Sequence, residues 1–376
     1  MKKIIFAMAV LFGCAMESNA QTNFIATLQH EGEFTHYYGA GALTEAYNAA
    51  DTNDIITLSA GTFTSPGIIE KGITIRGTGM ETVDKDSTYW AAKPKLTHVT
   101  GEIIFSSKNE THVSTIEGIR FTNDVKIMNT SNGEGQGKLK FIKNYIESLH
   151  AVNNDNTSLV KGPSVRVYDC IINDFINYSN SYPDFIFYNS FVVDPRWEGT
   201  VSESSIIFSH CFVLWCKRFW IRGAGYTDVY SNYAIRADYM NFYDCIFNTH
   251  LEEAQRYVAY DLKGFPNTVT CNNCLSVNLD IMFNSIVSGD NNKTVGSMTE
   301  IFKRYTSDSS IWKETFELTD AAKEAYIGTD GTQIGMQGGN YPYTTTVQYP
   351  IVTKFRAEPQ TNKAGMLNVE VEVDGK

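Results

Sequence analysis

What the chain lacks narrows its class first. Outside residues 1–20, no stretch approaches the ~20 consecutive apolar residues that a membrane-crossing helix needs, so no span is expected. Basic residues are not in excess: 31 Lys and Arg against 42 Asp and Glu leave a formal charge of −11. That balance argues against nucleic acid as a partner and against polyanion binding driven by overall charge. The CxxC at Cys271 and Cys274 has no second CxxC and no His pair at zinc spacing beside it, so no metal site is assigned there. The glycine-rich run from Gly328 to Gly339 is followed neither by Lys-Ser/Thr nor by a helix, which leaves a tight closing turn in place of a phosphate loop.

At the N-terminus, Lys2-Lys3, an apolar run from Ile4 to Phe12 and Ser18-Asn19-Ala20 before Gln21 read as a removable signal peptide over residues 1–20. Leu11-Phe12-Gly13-Cys14 competes as a bacterial lipid-attachment site, which would anchor the chain to an outer membrane through Cys14. Either way the protein is expected to be exported, to the periplasm, the cell surface or the medium. An even number of cysteines remains after Cys14, which in an exported chain ordinarily suggests disulfides. Cys170, Cys211, Cys245 and Cys274 occupy the same place in a repeat, however, and suggest small apolar fillers instead.

That repeat is the strongest pattern present. A few β-formers, an Asn, Asp or His, a small or aromatic residue and further β-formers recur at Asn123, Asn144, Asp169, Asn189, His210, Asn232, Asp244 and Asn273. The intervals are 21, 25, 20, 21, 22, 12 and 29 residues. A unit of about twenty residues with two or three short strands cannot bury its inner face alone, so units must stack, and a parallel β-helix is the stack that fits. Stacking puts Asn123, Asn144, Asp169, Asn189, His210 and Asn232 in one column, with Cys170, Ser190, Cys211, Tyr233, Cys245 and Cys274 in the next. Asn and Asp tolerate the left-handed conformation of a sharp bend, so the column is read as corners rather than a ligand site.

Around the repeat, Leu43, Ala46, Tyr47 and Ala50 define a short amphipathic helix between Gly41 and Asp51, placed to cover the open end of the first unit. Strand-like runs follow at 55–63, 67–77, 98–105 and 114–124, and the units continue to about Gly289, enough for about ten coils. Residues 298–305 and 319–326 read as short helices, and 351–356 and 366–373 as strands. The expected organisation is a signal peptide at 1–20, a β-helix with caps at 21–345 and a β tail at 346–376.

Several segments carry a resemblance. Leu43-Thr-Glu-Ala46, Ile55-Ile-Thr-Leu58, Ala60-Gly-Thr-Phe63 and Ile73-Thr-Ile-Arg-Gly-Thr-Gly79 resemble the entry of pectin-lyase-like right-handed parallel β-helices. Glu317 through Lys323, Gly328 through Gly335 and Gly338 through Pro342 are similar to the closing module of such proteins exported by Bacteroidetes. The resemblance covers about residues 40–345. It implies an all-β, right-handed parallel β-helix with an N-terminal capping helix and a C-terminal helical and glycine-rich closing module. It leaves the activity open, because one fold hosts many chemistries.

Each chemistry was tested on the residues. The Asn-Thr-Asp, Asp-Asp, Gly-His-Gly and Arg-Ile-Lys signatures of polygalacturonase-like hydrolases do not occur, nor does the Gln-Asp of pectin methylesterases. A polysaccharide lyase asks for less: a cation or Arg to neutralise a uronate carboxylate, and a Lys or Arg to remove the adjacent proton. Lys217, Arg218, Arg222 and Arg236 are the candidates, with calcium as the cofactor that chemistry would bring. The alternative reading of these residues is a set of solvated charges at the rims of the units. The same region holds Arg196, Trp197, Trp220, Tyr226 and Tyr239, residue types that stack on and bind sugars. The reading favoured by sequence is non-catalytic polysaccharide binding without a cofactor, followed by a uronate polysaccharide lyase and then a structural or adhesive surface protein.

Overall fold

A computed structural model describes residues 24–79, 96–106, 109–129, 137–153, 163–177, 184–193, 195–197, 205–215, 239–249, 269–277, 289–305, 316–344, 351–357 and 369–374. Most of its strands belong to two large sheets, one of eleven strands and one of fourteen. Successive strands alternate between them. Lys138–Ile142, Ser164–Tyr168, Asp184–Tyr188, Ser205–Ser209, Tyr239–Tyr243 and Val269–Asn272 lie side by side in the first sheet, all parallel. Each is followed after two residues by a strand of the second sheet, which includes Tyr145–Asn153, Ile171–Ile172, Phe191–Val193, Phe212–Trp215, Ile246–Thr249 and Leu275–Val277. The expected stacking of short units is therefore present as parallel ladders.

Alternation along the first sheet decides what is buried. Leu139, Phe141, Val165, Val167, Phe185, Phe187, Phe208 and Phe242 point into the core, while the residues between them face outward. Because equivalent positions lie over one another, rings stack: Phe187 over Phe208 and Phe208 over Phe242, each at 4.7 Å. Each such pair adds ~0.5–1.5 kcal/mol beyond the area it buries. The second sheet is covered on both faces, so its strands read as continuous apolar pairs such as Ile171-Ile172 and Phe212-Val213. Ile172, Val192, Val213 and Phe247 join the main core. Ile171, Phe191, Phe212, Ile246 and Leu275 face the other way and pack beneath Phe302, Phe316, Ile334 and Met336 of the C-terminal segment.

The two-residue corners carry the column of left-handed backbone that turn chemistry anticipates, in a different register. Gly118, Lys143, Asp169, Asn189, His210, Asp244, Asn273 and Asn291 all have φ between 48° and 65°. Asn123 is not a corner; it sits at a bulge inside the strand Arg120–Asn129, where its Oδ1 accepts from the Gly101 N–H at 2.8 Å. Asn144 lies one position past the corner, because Lys143 takes the left-handed conformation. Asn232 and Tyr233 fall outside the described residues, and Asp244 follows His210, since Ser205–Ser209 pairs with Tyr239–Tyr243.

From Lys143 onward, the position after each corner forms a second column of Asn144, Cys170, Ser190, Cys211, Cys245 and Cys274, all buried, and the half-buried Asn292. Its side chains accept from the backbone N–H of the preceding unit: Ile119 N to Asn144 Oδ1 (3.0 Å), Asn144 N to Cys170 Sγ (3.4 Å), Cys170 N to Ser190 Oγ (3.1 Å) and Cys274 N to Asn292 Oδ1 (2.9 Å). The corner amides themselves reach ladder carbonyls, as Asp169 N reaches Tyr188 O, and for the amide that follows each corner these side-chain atoms supply the acceptor that a buried N–H needs. Among the described residues Cys170, Cys211, Cys245, Cys271 and Cys274 are buried free thiols. Burial pushes the Cys170 thiol up to about 12 and those of Cys211, Cys245 and Cys274 well above the ordinary value, so these three are not thiolate ligands.

The helix near the start spans Ala42–Ala49 and buries Ala42, Leu43, Ala46 and Tyr47. Lys71 Nζ donates to Tyr47 O (2.9 Å) and Ala50 O (2.6 Å) and so satisfies its last carbonyls. Ahead of it a hairpin of Ile25–His30 and Glu33–Tyr38 extends the first sheet antiparallel, an element the periodicity did not indicate. The helix expected at 298–305 is a single turn, Met298–Ile301, and that expected at 319–326 is Asp320–Ala325, capped by Thr319 Oγ1 accepting from the Ala322 N–H at 3.1 Å. Ile351–Ala357 and Val369–Asp374 pair antiparallel with each other.

Candidate functional site

The glycine-rich run expected to be a closing turn lies along the corner column. Asn189 Nδ2 donates to Met336 O (2.9 Å) and Gly338 O (2.7 Å), and Asn273 Nδ2 donates to Ile327 O (2.8 Å). Asp244 receives the Thr329 N–H at Oδ1 (2.8 Å) and the Thr329 hydroxyl at Oδ2 (2.7 Å), while its own carbonyl accepts from Gly335 N (2.8 Å). The loop can come this close because it has almost no side chains there. A Cβ on Gly338 would overlap Gln333 O and lie 2.6 Å from His210 Nδ1; one on Gly339 would lie 2.9 Å from His210 Cδ2.

Between the column and the loop, three groups that bind metals converge. His210 Nε2 lies 3.6 Å from Asp244 Oδ2 and 3.3 Å from Asp330 Oδ2, and one ligand atom from each residue falls within 4.8 Å of the others. The side chains of His210 and Asp244 are 6% and 3% exposed, whereas that of Asp330 is 36% exposed. His210 and Asp244 are presented by successive left-handed corners, which places their Cβ atoms on the same edge of the stack. Asp330 is oriented by Thr332, whose N–H (2.9 Å) and hydroxyl (2.7 Å) both donate to its Oδ1, leaving Oδ2 directed at the imidazole. These hydrogen bonds and the neighbouring His210 hold the Asp330 carboxyl below the ordinary carboxylate range, against a desolvation effect that raises it.

One imidazole nitrogen and two carboxylate oxygens form a donor set suited to a borderline or hard divalent cation. The spacings suit one ion held at about 2.0–2.5 Å from each donor. Thr329 and Asn273 already orient the Asp244 carboxylate from behind, as outer-shell groups do at metal sites. His210 Nδ1 is buried without a hydrogen-bond partner, so the outer support of the imidazole is packing against Gly338 and Gly339. The arrangement therefore does two jobs at once: it seats the loop, and it gathers three groups whose geometry is compatible with a divalent cation.

The residues singled out from sequence do not enter this cluster in the described part of the chain. Lys217, Arg218, Trp220, Arg222, Tyr226 and Arg236 lie outside the described residues. Arg196 and Trp197, read as part of a loop, form a short strand, because the ladder continues from Ile176 and Asn177 onto them. Tyr239 opens the strand Tyr239–Tyr243. His210 and Asp244 were visible in the repeat but explained fully by turn chemistry, and Asp330 stood in a segment read for its glycines. What the repeat could not reveal is that the loop returns to the corners. Comparison with protein-family models, with curated proteins and with solved structures returns no match to this chain.

Proposed function

We propose that the chain is an exported right-handed parallel β-helix, of the pectin-lyase-like kind found in Bacteroidetes, that acts on a uronate polysaccharide by cation-assisted β-elimination. The observation that carries this reading is the convergence of His210, Asp244 and Asp330 within 4.8 Å. A cation held there would supply the positive charge that neutralises a uronate carboxylate. Alternation of short parallel strands between two sheets supports the solenoid, and the apolar N-terminal run supports export.

In this reading a divalent cation such as calcium, once bound, draws charge from the uronate carboxylate and makes the neighbouring C–H more acidic. Lys217, Arg218, Arg222 and Arg236 lie in the chain between His210 and Asp244 and supply the base. The base removes the proton on C5, the C4–C5 double bond forms, the C4–O bond breaks, and the departing oxygen takes a proton. No water is consumed, which separates the reaction from hydrolysis.

The second reading is non-catalytic polysaccharide binding, favoured by the burial of His210 and Asp244 beneath the loop they hold. Incubation with pectate, alginate and glycosaminoglycans, with and without calcium, followed by ultraviolet absorbance of the unsaturated product, decides between them. The lyase reading expects calcium-dependent product that is lost in Arg218→Ala or Arg236→Ala and loses its calcium dependence in Asp330→Asn. Absence of product with every polymer overturns it and leaves binding.

A further inference from the structure

The outward face of the eleven-stranded sheet carries an aromatic and basic patch that neither the cation cluster nor the sequence motifs include. Tyr168 and Tyr188 occupy the same register position on adjacent strands and stack at 5.1 Å with an interplanar angle of 9°. Tyr341, from the segment that follows the glycine-rich loop, sets its ring edge-on to Tyr168 at 5.4 Å and tilted against Tyr188 at 6.3 Å. Despite these two contacts Tyr341 remains 56% exposed. The stacked pair spends its ring faces on each other and acts as a buttress, and the ring of Tyr341 is what it holds out to solvent. An aromatic ring fixed in place before a ligand arrives avoids the ordering cost that a mobile one incurs on binding.

One register position away on the same face, Lys140 lies beside Arg166, and Lys138 stands two residues before Lys140. Arg166 is braced by donation to Val165 O (3.2 Å) and Asp184 O (3.4 Å). Lys138 and Lys140 are exposed, and neither forms an ion pair among the described residues. The acids that share the face are Asp184 and Glu117, the latter paired with Arg76 at 3.5 Å. A cluster of cations on a chain of net charge −11 is local, so it selects an anionic ligand by position and not through the field of the whole molecule.

We propose that this patch is a binding site for an anionic polysaccharide, with a sugar ring stacked on Tyr341 and its acidic substituents, or those of the next residues along the chain, paired with Arg166 and Lys140. The parallel ladder gives the patch its shape: equivalent residues repeat every ~4.8 Å across the strands, so a polymer lying across them meets the tyrosines and the cations in sequence. A pyranose presents an apolar face to an aromatic ring and polar edges to charged side chains, which is the combination offered here. The choice of an acidic sugar over a neutral one rests on the cations of the patch. Its assignment to uronates in particular rests on the proposed lyase reading, and the test separates the two.

Affinity electrophoresis of the full chain through gels containing polygalacturonate, alginate, dextran sulfate or neutral dextran, at low and high salt, measures the interaction. The expected result is retardation by at least one of the acidic polymers and not by dextran, weakened by salt. Tyr341→Ala is expected to weaken it at least fivefold, and Lys140→Glu with Arg166→Glu to abolish it. Tyr341 and Lys140 are exposed and Arg166 is half-buried, so circular dichroism and Tm check that each variant folds as the parent does. Equal retardation of Tyr341→Ala, Lys140→Glu/Arg166→Glu and the parent overturns the patch, as does absence of retardation in every gel. Retardation of the parent that is lost in the patch variants, with no unsaturated product from any polymer, establishes the patch while the lyase reading fails. Binding confined to dextran sulfate, an anionic polymer without uronates, upholds an anionic site but removes the uronate assignment drawn from that reading.

Discussion

Asp169 shows how much one corner position can hold. It is buried, its Oδ1 has no partner, and burial pushes its carboxyl up to about 7 against the opposing pull of Lys143. The unfolded group titrates near 3.8, so between pH 3.8 and about 7 the folded chain keeps a proton that the unfolded chain has lost. The stability this position carries is thus complete at low pH and is lost as the pH rises to about 7, above which a buried carboxylate must be carried. Asn189 and Asn273 occupy the same column with amides and the same left-handed backbone. Asp169→Asn is therefore expected to leave stability unchanged near pH 4 and raise it on the order of 2 kcal/mol at pH 8. Denaturant unfolding across that range checks it; a gain of equal size at both ends would exclude the titration as its cause. Sequence reading recognised Asp169 and Asn189 as corners but put Asn123 and Asn144 there too. A left-handed φ is a property of the backbone, which Gly118 and Lys143 also adopt, so residue type alone could not set the register.

At the scale of elements, the segment from Ile327 to Gly339 matters most. It is irregular, and besides its internal turn bonds it is tied by hydrogen bonds to Asn189, Asp244 and Asn273. Its glycines were legible as a turn, and the short helix ahead of it as a capped helix. The partners of the loop were not, because they lie as far as 149 residues away in sequence. Gly338 is the tightest point of the seat. Gly338→Ala is expected to destabilise the chain by ~2 kcal/mol or more, since neither the Gln333 carbonyl nor the buried His210 ring can move aside cheaply. Gly331→Ala, in the same loop but with open space around it, tests whether glycine loss alone is responsible; its positive φ of 82° costs strain and no clash. Limited proteolysis should cut the C-terminal segment faster in Gly338→Ala than in either Gly331→Ala or the parent. Equal rates would mean that the loop is not held at that point.

For the whole molecule, the strand alternation and the twenty-residue rhythm were enough to foresee parallel stacking, since no single unit can bury its apolar face. The N-terminal hairpin was not foreseen, because Glu33–Tyr38 is exposed along most of its length and leaves no period-two signal. Neither was the cation cluster, which combines two corners with a distant loop. If a divalent ion binds there, it binds only the folded chain and must stabilise it by mass action, about 2.7 kcal/mol at a hundredfold excess over Kd. Calorimetry is expected to show a Tm several degrees higher in calcium than in chelator, with no such difference in Asp330→Asn. An identical Tm in both buffers would leave the cluster as a clasp of protein groups alone.

The reach of that clasp also bears on how the chain comes to be folded. Parallel ladders between neighbouring units can form one after another as the polypeptide emerges, each contact spanning about twenty residues. The Asn189 amide gains its acceptors, and the Asp244 carboxylate its Thr329 donors, only when residues 327–338 arrive. Until then those corners are set but unlocked, and the stack remains open along one flank. Final rigidity thus waits on residues 327–338, which follow the last unit of the stack in the chain.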